Sequence, residues 1–330
     1  MTDNNTTYLT NLRAVATIMV IVLHVCSFYM DLYSVENALQ WQTVNALDSI
    51  TRVCIGLFLM ITGALLLPQK IILKEFLRKR LLRIGLPFIF WTLIYVLIKI
   101  FIGKEDVSST LQNGIYFGAA YHFWYLYMLI GIYLIIPIIA VFVQNASKNL
   151  VQYFIILWLI SLTTSMFSFK SIFPNFNLIY FSGYLGYVIL GYYINTYGKE
   201  FKHFKKVTYL ILGYLFTFSA TFYFTKKSNT LNTDFYQYLD LNVVLMAACL
   251  FMIFKFHFNF ISKIFELIST YSFGIYFIHP LVLRFMEIKN FMFTSIWIVH
   301  VFITSSVILL LSFIVIYLLR KLPKSELFIG

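Results

Sequence analysis

The sequence predicts an all-α fold: a polytopic membrane bundle of about ten transmembrane helices with both termini in the cytoplasm. Of its 330 residues, 61% are hydrophobic and 12% are charged, whereas roughly a quarter of the residues of a soluble domain are charged. The apolar residues form continuous runs that are too long for the alternating strands of a membrane barrel. We therefore expect a single integral membrane domain over residues 1–330.

The predicted spans each contain about 20 mostly apolar residues, the length that an α-helix needs to cross the hydrocarbon core. Polar or basic stretches separate them, and their ends are predicted to within several residues. In chain order they cover residues 9–30, 48–68, 82–103, 123–143, 151–169, 178–197, 207–225, 240–256, 265–287 and 292–319. No repeat or linker divides the series, which indicates one domain.

Lysine and arginine are distributed unevenly between the two sets of loops, and this asymmetry predicts the orientation. Cations concentrate at residues 70–83, at 199–206 and after 319, so these segments are predicted to be cytoplasmic. The net charge of +12 is then explained by anionic headgroups, and we expect membrane lipid but no nucleic acid as a partner. The three cysteines lie in apolar stretches without the spacing of metal ligands, so we expect neither a metal nor a disulfide framework.

The first predicted span contains two ionisable residues, Arg13 and His24, and such residues are costly inside a membrane. They are eleven residues apart, so both are predicted on one helix face, about 16 Å apart along the axis. Arg13 alone could be an anchor that reaches the headgroups, and His24 alone could make an interhelical hydrogen bond. Their shared face favours a functional pair, in which His24 is suited to act as a general base.

A basic segment leads into the third predicted span and reads Phe-Leu-Arg-Lys-Arg-Leu-Leu-Arg-Ile-Gly-Leu-Pro over residues 76–87. Arg80 and Arg83 are three residues apart on a predicted helix, so their guanidinium groups can converge on one polyanion. Two interpretations stay open: a phosphate site, and the ordinary excess of cations in a cytoplasmic loop.

The ninth predicted span carries Ser-Phe-Gly-Ile-Tyr-Phe-Ile-His-Pro over residues 272–280. His279 is predicted at about the same depth in the membrane as His24, and Pro280 is expected to disturb the helix and free a carbonyl. Two roles for His279 stay open: a hydrogen bond that stabilises this kink, and a part in the chemistry, either orienting an acceptor or stabilising an oxyanion.

Taken together, these segments resemble the acyltransferase-3 family of bacterial membrane acyltransferases over nearly the whole chain. The first span has the family's spacing of Arg, ten residues and His, as Arg13 and His24. Residues 52–63 are similar to its apolar stretch ending in Ser-Gly, with Thr62 in place of the serine. The other segments that fit are 76–87, 122–137, 272–279 and 320–323. The similarity is to stand-alone members, such as those that O-acetylate the enterobacterial common antigen, without an SGNH-type hydrolase domain.

The resemblance implies a multi-pass enzyme of the bacterial plasma membrane. Such an enzyme transfers an acyl group, usually acetyl from acetyl-CoA, to a hydroxyl of a cell-surface glycan or its lipid-linked precursor. It implies a catalytic role for His24 with Arg13 as its partner. It also implies that the acyl donor is bound by the arginines of the basic segment, which are Arg78, Arg80 and Arg83. Whether His24 activates the acceptor hydroxyl or takes the acyl group itself stays open.

The main alternative is an exporter or flippase of a polysaccharide or lipid-linked sugar, because many membrane spans and an aromatic interior fit a carrier too. The sequence contains neither an inverted repeat nor the paired broken helices that many carriers have, so we favour the enzyme. A third interpretation is the membrane half of a sensor or of an enzyme with a separate soluble partner. The sequence does not determine the acceptor, the acyl length or the oligomeric state, monomer or homo-oligomer.

Overall fold

The computed structural model describes residues 6–103, 106–114, 118–165, 183–200, 203–289, 291 and 293–329. The elements in these residues are helical, which confirms the predicted all-α fold. They are α1 Thr7–Met30, α2 Ala38–Thr51, α3 Cys54–Leu66, α4 Leu73–Phe101, α5 Val107–Asn113, α6 Trp124–Asn145, α7 Lys148–Ser165, α8 Leu185–Tyr197, α9 His203–Ser228, α10 Leu241–His257, α11 Lys263–Ile288, α12 Trp297–Leu319 and α13 Glu326–Ile329. A 3-10 turn at Tyr121–Phe123 precedes α6.

Each predicted span coincides with helical structure, although the ends of the fifth and sixth, at 166–169 and 178–182, lie outside the described residues, as does 292. Within the described chain, six helical segments are long and apolar enough to cross a membrane: Thr7–Met30, Ala38–Leu66, Leu73–Phe101, Tyr121–Asn145, Phe204–Ser228 and Trp297–Leu319. The helices Lys148–Thr163 and Leu241–His257 are apolar but shorter. These segments indicate a membrane protein; the total of about ten spans and the orientation stay predictions.

The second predicted span begins earlier than expected and contains a break. Its helix starts at Ala38 instead of residue 48, α2 ends at Thr51, and α3 begins at Cys54. Arg52 and Val53 form the turn between them. Proline and glycine are common causes of a sharp break in a helix, but neither residue is present at 52–53, so no local pattern predicts the break.

The chain divides into two compact units, and the first consists of Met1–Pro68 and Val143–Phe313. Within this unit α1 packs against α2, α3, α10 and α11. A buried apolar cluster surrounds the second half of α1 and includes Tyr29, Met30 and Trp41. The Trp41 indole N–H donates to the Met30 carbonyl oxygen at 2.9 Å, which ties α2 back to the end of α1.

Helices α3 and α8 pack closely in the first unit because each has a glycine at the contact. A Cβ added at Gly63 would lie 1.8 Å from the Val188 carbonyl oxygen, and one added at Gly191 would lie 2.1 Å from that of Met60. Both obstacles are backbone atoms, which cannot rotate away. The spacing of these two helices therefore requires glycine on both sides.

The start of α1 is fastened to the loop between α10 and α11. The Asn11 amide nitrogen donates to the carbonyl oxygens of Phe258 and Phe260, both at 2.8 Å. The Tyr8 backbone N–H donates to the Asn259 side-chain oxygen at 3.1 Å. These bonds satisfy carbonyls of a loop that has no helical partners of its own.

The second unit consists of Gln69–Phe142 and Ile314–Gly330. Here α4 begins at Leu73, earlier than the predicted residue 82, so the basic segment forms its first turns, and Pro87 lies inside the helix. Helix α4 packs against α5 and α13. The Trp91 indole N–H donates to the Phe328 carbonyl oxygen at 2.9 Å, which holds the last described turn on α4.

Candidate functional site

Arg13 and His24 lie on one uninterrupted helix, α1, which runs from Thr7 to Met30. At about 100° per residue their spacing brings both side chains to nearly the same face, about 16 Å apart along the axis. Both side chains are half-buried. The predicted helix is confirmed, and the roles predicted for these two residues stay predictions.

The structure brings His24 together with His279, which the sequence had placed only at a similar depth. Helix α1 packs against α11, and the two imidazole rings stack with their centroids 5.3 Å apart and their planes at 26°. His279 is 1% exposed, whereas His24 retains some accessible surface. Two imidazoles 255 positions apart in the chain thus form a pair inside the first unit.

The ring orientation of His279 is fixed by its own helix. Its Nδ1 lies 3.0 Å from the Ile275 carbonyl oxygen, and the backbone of Tyr276 also interacts with the ring. Pro280 has no N–H, so the carbonyl of Tyr276 lacks its usual helical donor. A carbonyl oxygen only accepts, so Nδ1 must carry the hydrogen, and in the neutral ring Nε2 then presents a lone pair.

A buried ion pair, which the sequence interpretation missed, joins Asp48 of α2 to Arg52 at the break after it. The Arg52 Nη2 donates to the Asp48 carboxylate, whose side chain is 0% exposed, while that of Arg52 is 15% exposed. The Arg52 guanidinium carbon lies 4.2 Å from the centroid of the Tyr236 ring. Two charges four residues apart at the start of an apolar span were the available signal.

The ion pair lies close to the histidine pair. The charge on Arg52 interacts with His24, and the charges on both Arg52 and Asp48 interact with Cys26, two residues further along α1. His24 is half-buried, and the Arg52 side chain is 15% exposed, so both keep accessible surface. Tyr238, in the loop before α10, interacts with the same ion pair, and burial raises the pKa of its phenol, which stays protonated.

The three arginines of the basic segment lie in the second unit, near the start of α4. Arg78 and Arg83 are exposed and Arg80 is half-buried. The Arg80 guanidinium carbon lies 5.7 Å from the ring centroid of Phe76 and 5.9 Å from that of Tyr133. On a helix Arg80 and Arg83 point about 60° apart, whereas Arg78 is about 140° or more from both. The helix thus allows two of the three to converge on one anion.

Comparison of the chain with known protein families assigns it to one of them. A family model described as an acyltransferase domain matches residues 6–318, a range that contains Arg13, His24, Asp48, Arg52 and His279. No curated protein and no solved structure matches the chain significantly. The match extends over nearly the whole chain, from α1 through almost all of α12. The chain therefore belongs to the acyltransferase-3 family and is a membrane acyltransferase.

Proposed function

We propose that the protein is a membrane O-acyltransferase that moves an acyl group from cytoplasmic acyl-CoA to a hydroxyl of a cell-surface glycan or lipid-linked saccharide. The acyl group that we propose is acetyl, with acetyl-CoA as the donor. Family membership supports acyl transfer in general. The observation that carries the proposal is the stacked pair of His24 and His279 inside the first unit. A glycan hydroxyl is a poor nucleophile until a base removes its proton, and an enclosed imidazole is suited to that task.

The two imidazoles divide the work in this proposal. His24 retains accessible surface and acts as the general base, or as the nucleophile if the acyl group passes through the enzyme. The Nε2 of His279 presents a lone pair, because its Nδ1 hydrogen is engaged by the helix, and it accepts a hydrogen bond from a second hydroxyl of the acceptor, which orients the acceptor. Arg13 shares the face of His24 and provides a positive charge on the same helix.

The donor is bound through its phosphates by the arginines of α4. The Arg80 Nε is buried and has no hydrogen-bond acceptor in the part of the chain that the structure describes, which leaves this group available to a ligand. Arg83 shares its face, and a planar guanidinium matches phosphate oxygens better than an ammonium does. Arg78 is the least suited of the three, because it points elsewhere.

The decisive experiment compares His24→Ala with His300→Ala in purified, detergent-solubilised protein. His300 is a buried histidine of the same unit, and it bonds locally with the Phe293 backbone N–H (3.2 Å) and the Thr304 hydroxyl (2.9 Å). We expect His24→Ala to abolish acyl transfer to added glycan and His300→Ala to retain it in the folded fraction. A wild-type protein that neither transfers acyl groups nor hydrolyses acyl-CoA would overturn the proposal in favour of an exporter.

Donor binding is tested separately with the double variant Arg80→Gln/Arg83→Gln, and Lys74→Gln on the same helix is the matched control. We expect the double variant to raise the KM for acyl-CoA while the control leaves it unchanged, since Lys74 is exposed and lies about 120° around the helix from Arg80 and about 180° from Arg83. An unchanged donor KM in the double variant would return the segment to a topological role. Mass spectrometry of surface glycans with and without the gene would identify the acceptor by the mass of one acyl group.

A further inference from the structure

We propose that Arg52 is a catalytic residue whose guanidinium donates hydrogen bonds to the oxyanion formed when the thioester carbonyl is attacked, and that Asp48 is its positioning residue. This inference rests on the acyl-transfer function proposed above. It assigns a role to an ion pair buried within the first unit.

The first argument is the number of unused donors on Arg52. A guanidinium carries five N–H groups, and the described residues supply one hydrogen-bonded acceptor, the Asp48 carboxylate. The Nε of Arg52 is buried and has no acceptor there, and the second carboxylate oxygen of Asp48 likewise has no donor. Buried polar groups in native proteins are nearly always hydrogen-bonded, so this guanidinium is arranged to receive an acceptor atom from outside the chain.

The second argument is that the guanidinium is held in place before any ligand arrives. Asp48 is fully buried and binds one edge of it, while the Tyr236 ring lies against its face at 4.2 Å. The Tyr236 hydroxyl bonds the side-chain oxygen of Asn45, whose amide nitrogen donates to the Phe218 carbonyl oxygen at 3.1 Å. A donor fixed in this way costs little reorganisation when charge develops beside it, and such preorganisation is the basis of oxyanion stabilisation.

The third argument is location. Arg52 lies close enough to His24 for their charges to interact, and its side chain keeps 15% of its surface accessible although protein surrounds it. A thioester carbonyl carbon attacked beside His24 would therefore have its oxygen within the field of this cation. In an enclosed, weakly polar site such a charge is much more effective than in water.

The fourth argument is that His279 is poorly suited to this task. Its Nδ1 hydrogen is engaged by the Ile275 carbonyl oxygen at 3.0 Å, so in the neutral ring Nε2 has no hydrogen to donate. An oxyanion needs a donor, and the neutral imidazole offers only an acceptor on that side. The Arg52 guanidinium, whose charge interacts with His24, supplies the missing donor.

The chemical step balances as follows. His24 takes the proton of the acceptor hydroxyl, whose oxygen forms a bond to the thioester carbonyl carbon. The carbonyl π electrons move to its oxygen, and Arg52 donates hydrogen bonds to the resulting oxyanion. When the intermediate collapses, the carbon–sulfur bond breaks, and the CoA thiolate leaves and receives the proton from His24. If His24 attacks the carbonyl carbon itself, the first oxyanion collapses to an acyl-imidazole as the CoA thiolate leaves with the imidazole proton. The acceptor hydroxyl then attacks the acyl carbon through a second oxyanion, and the imidazole leaves with the hydroxyl proton. Arg52 donates hydrogen bonds to the oxyanion in both steps.

The test measures kcat and both KM values for Arg52→Gln and Arg52→Lys, together with the melting temperature of each variant. We expect Arg52→Gln to lower kcat by about 10²–10³-fold, as loss of one oxyanion donor does elsewhere, with little change in either KM. Arg52→Lys keeps the charge but loses the planar fork of N–H donors, so its kcat should lie between that of the wild type and that of Arg52→Gln. If Arg52→Gln does not fold, a lowered kcat in Arg52→Lys at an unchanged melting temperature supports the proposal, and a wild-type kcat overturns it.

Lys255→Gln is the control for removing a half-buried cation from the same unit. The Lys255 ammonium donates to the carbonyl oxygens of Ile194 and Asn195, both at 2.8 Å, so its loss should lower the melting temperature but not the kcat of folded protein.

The positioning role of Asp48 is tested with two variants. Asp48→Asn should lower kcat less than Arg52→Gln does, and Asp48→Glu, which keeps the carboxylate, should recover part of that loss.

The outcomes separate this inference from the proposed function. An inactive wild-type protein would contradict acyl transfer itself. If the wild type is active and His24→Ala is inactive, a wild-type kcat in Arg52→Gln would overturn only the role of Arg52. A raised acceptor KM at constant kcat would also overturn it, since Arg52 would then bind the substrate and not the transition state.

Discussion

Replacing Gly63 by alanine should separate α3 from α8, and the structure gives the size of the effect. The added Cβ would lie 1.8 Å from the Val188 carbonyl oxygen, whereas ordinary contacts begin at 3.4 Å. The backbones must therefore move apart by about 1.6 Å at this point. Overpacking of this kind costs about 1–3 kcal/mol, and alanine returns at most about 1 kcal/mol through its better helix propensity.

We therefore expect Gly63→Ala to lower the free energy of unfolding by about 2 kcal/mol, since the obstacle is backbone and cannot turn away. The measurement is thermal unfolding of detergent-solubilised protein, followed by tryptophan fluorescence. Trp158 reports directly on the neighbouring contact, because a Cβ at Gly186 of α8 would meet its ring at 2.0 Å.

Two glycines provide matched controls for the same chemical change. Gly85 lies inside α4 and Gly131 inside α6, and a Cβ added at either meets nothing within 4 Å. Alanine at these sites should leave stability unchanged or raise it by up to about 1 kcal/mol. The reasoning about helix spacing would be refuted if Gly63→Ala melted no earlier than these two variants.

Two further predictions concern single contacts. Tyr187→Phe removes the hydroxyl that donates to the Tyr238 carbonyl oxygen at 2.6 Å and should cost about 1–2 kcal/mol of stability, measured by the same melting assay. Trp91→Phe loses the 2.9 Å bond to the Phe328 carbonyl oxygen and should expose the chain end to limited proteolysis, with full protection arguing against that bond.

Composition and periodicity were sufficient to predict the class of fold. Long apolar runs with few charges have one stable form in lipid, the helix, so the positions of α1, α6, α10 and α12 could be predicted to within a few residues. The break at Arg52 could not, because no proline or glycine marks it. At this break the Arg52 guanidinium lies against the ring of Tyr236, a residue distant in the chain, and no local pattern encodes that contact.

The candidate site was predictable only where its residues share one helix. Arg13 and His24 follow from spacing alone, because helical geometry fixes their common face. The adjacency of His24 and His279 depends on how α1 and α11 pack, which no local pattern encodes. Asp48 and Arg52 were visible as charges in an apolar span, but they resembled the usual flanking charge until Tyr236 was seen against the guanidinium.

The bonds from Asn11 to the carbonyls of Phe258 and Phe260 have a mechanical consequence for the imidazole pair. They fix the start of α1 next to the loop that precedes α11. His24 lies about 20 Å along α1 from Asn11, and His279 lies about 24 Å along α11 from the start of that helix. Sliding one helix along the other would first have to break these two hydrogen bonds. The fixed numbers of residues from this contact therefore act together with the packing of α1 against α11 to set the register of the two rings. Insertion of a single residue between Asn11 and His24 would turn the ring by about 100° away from its partner.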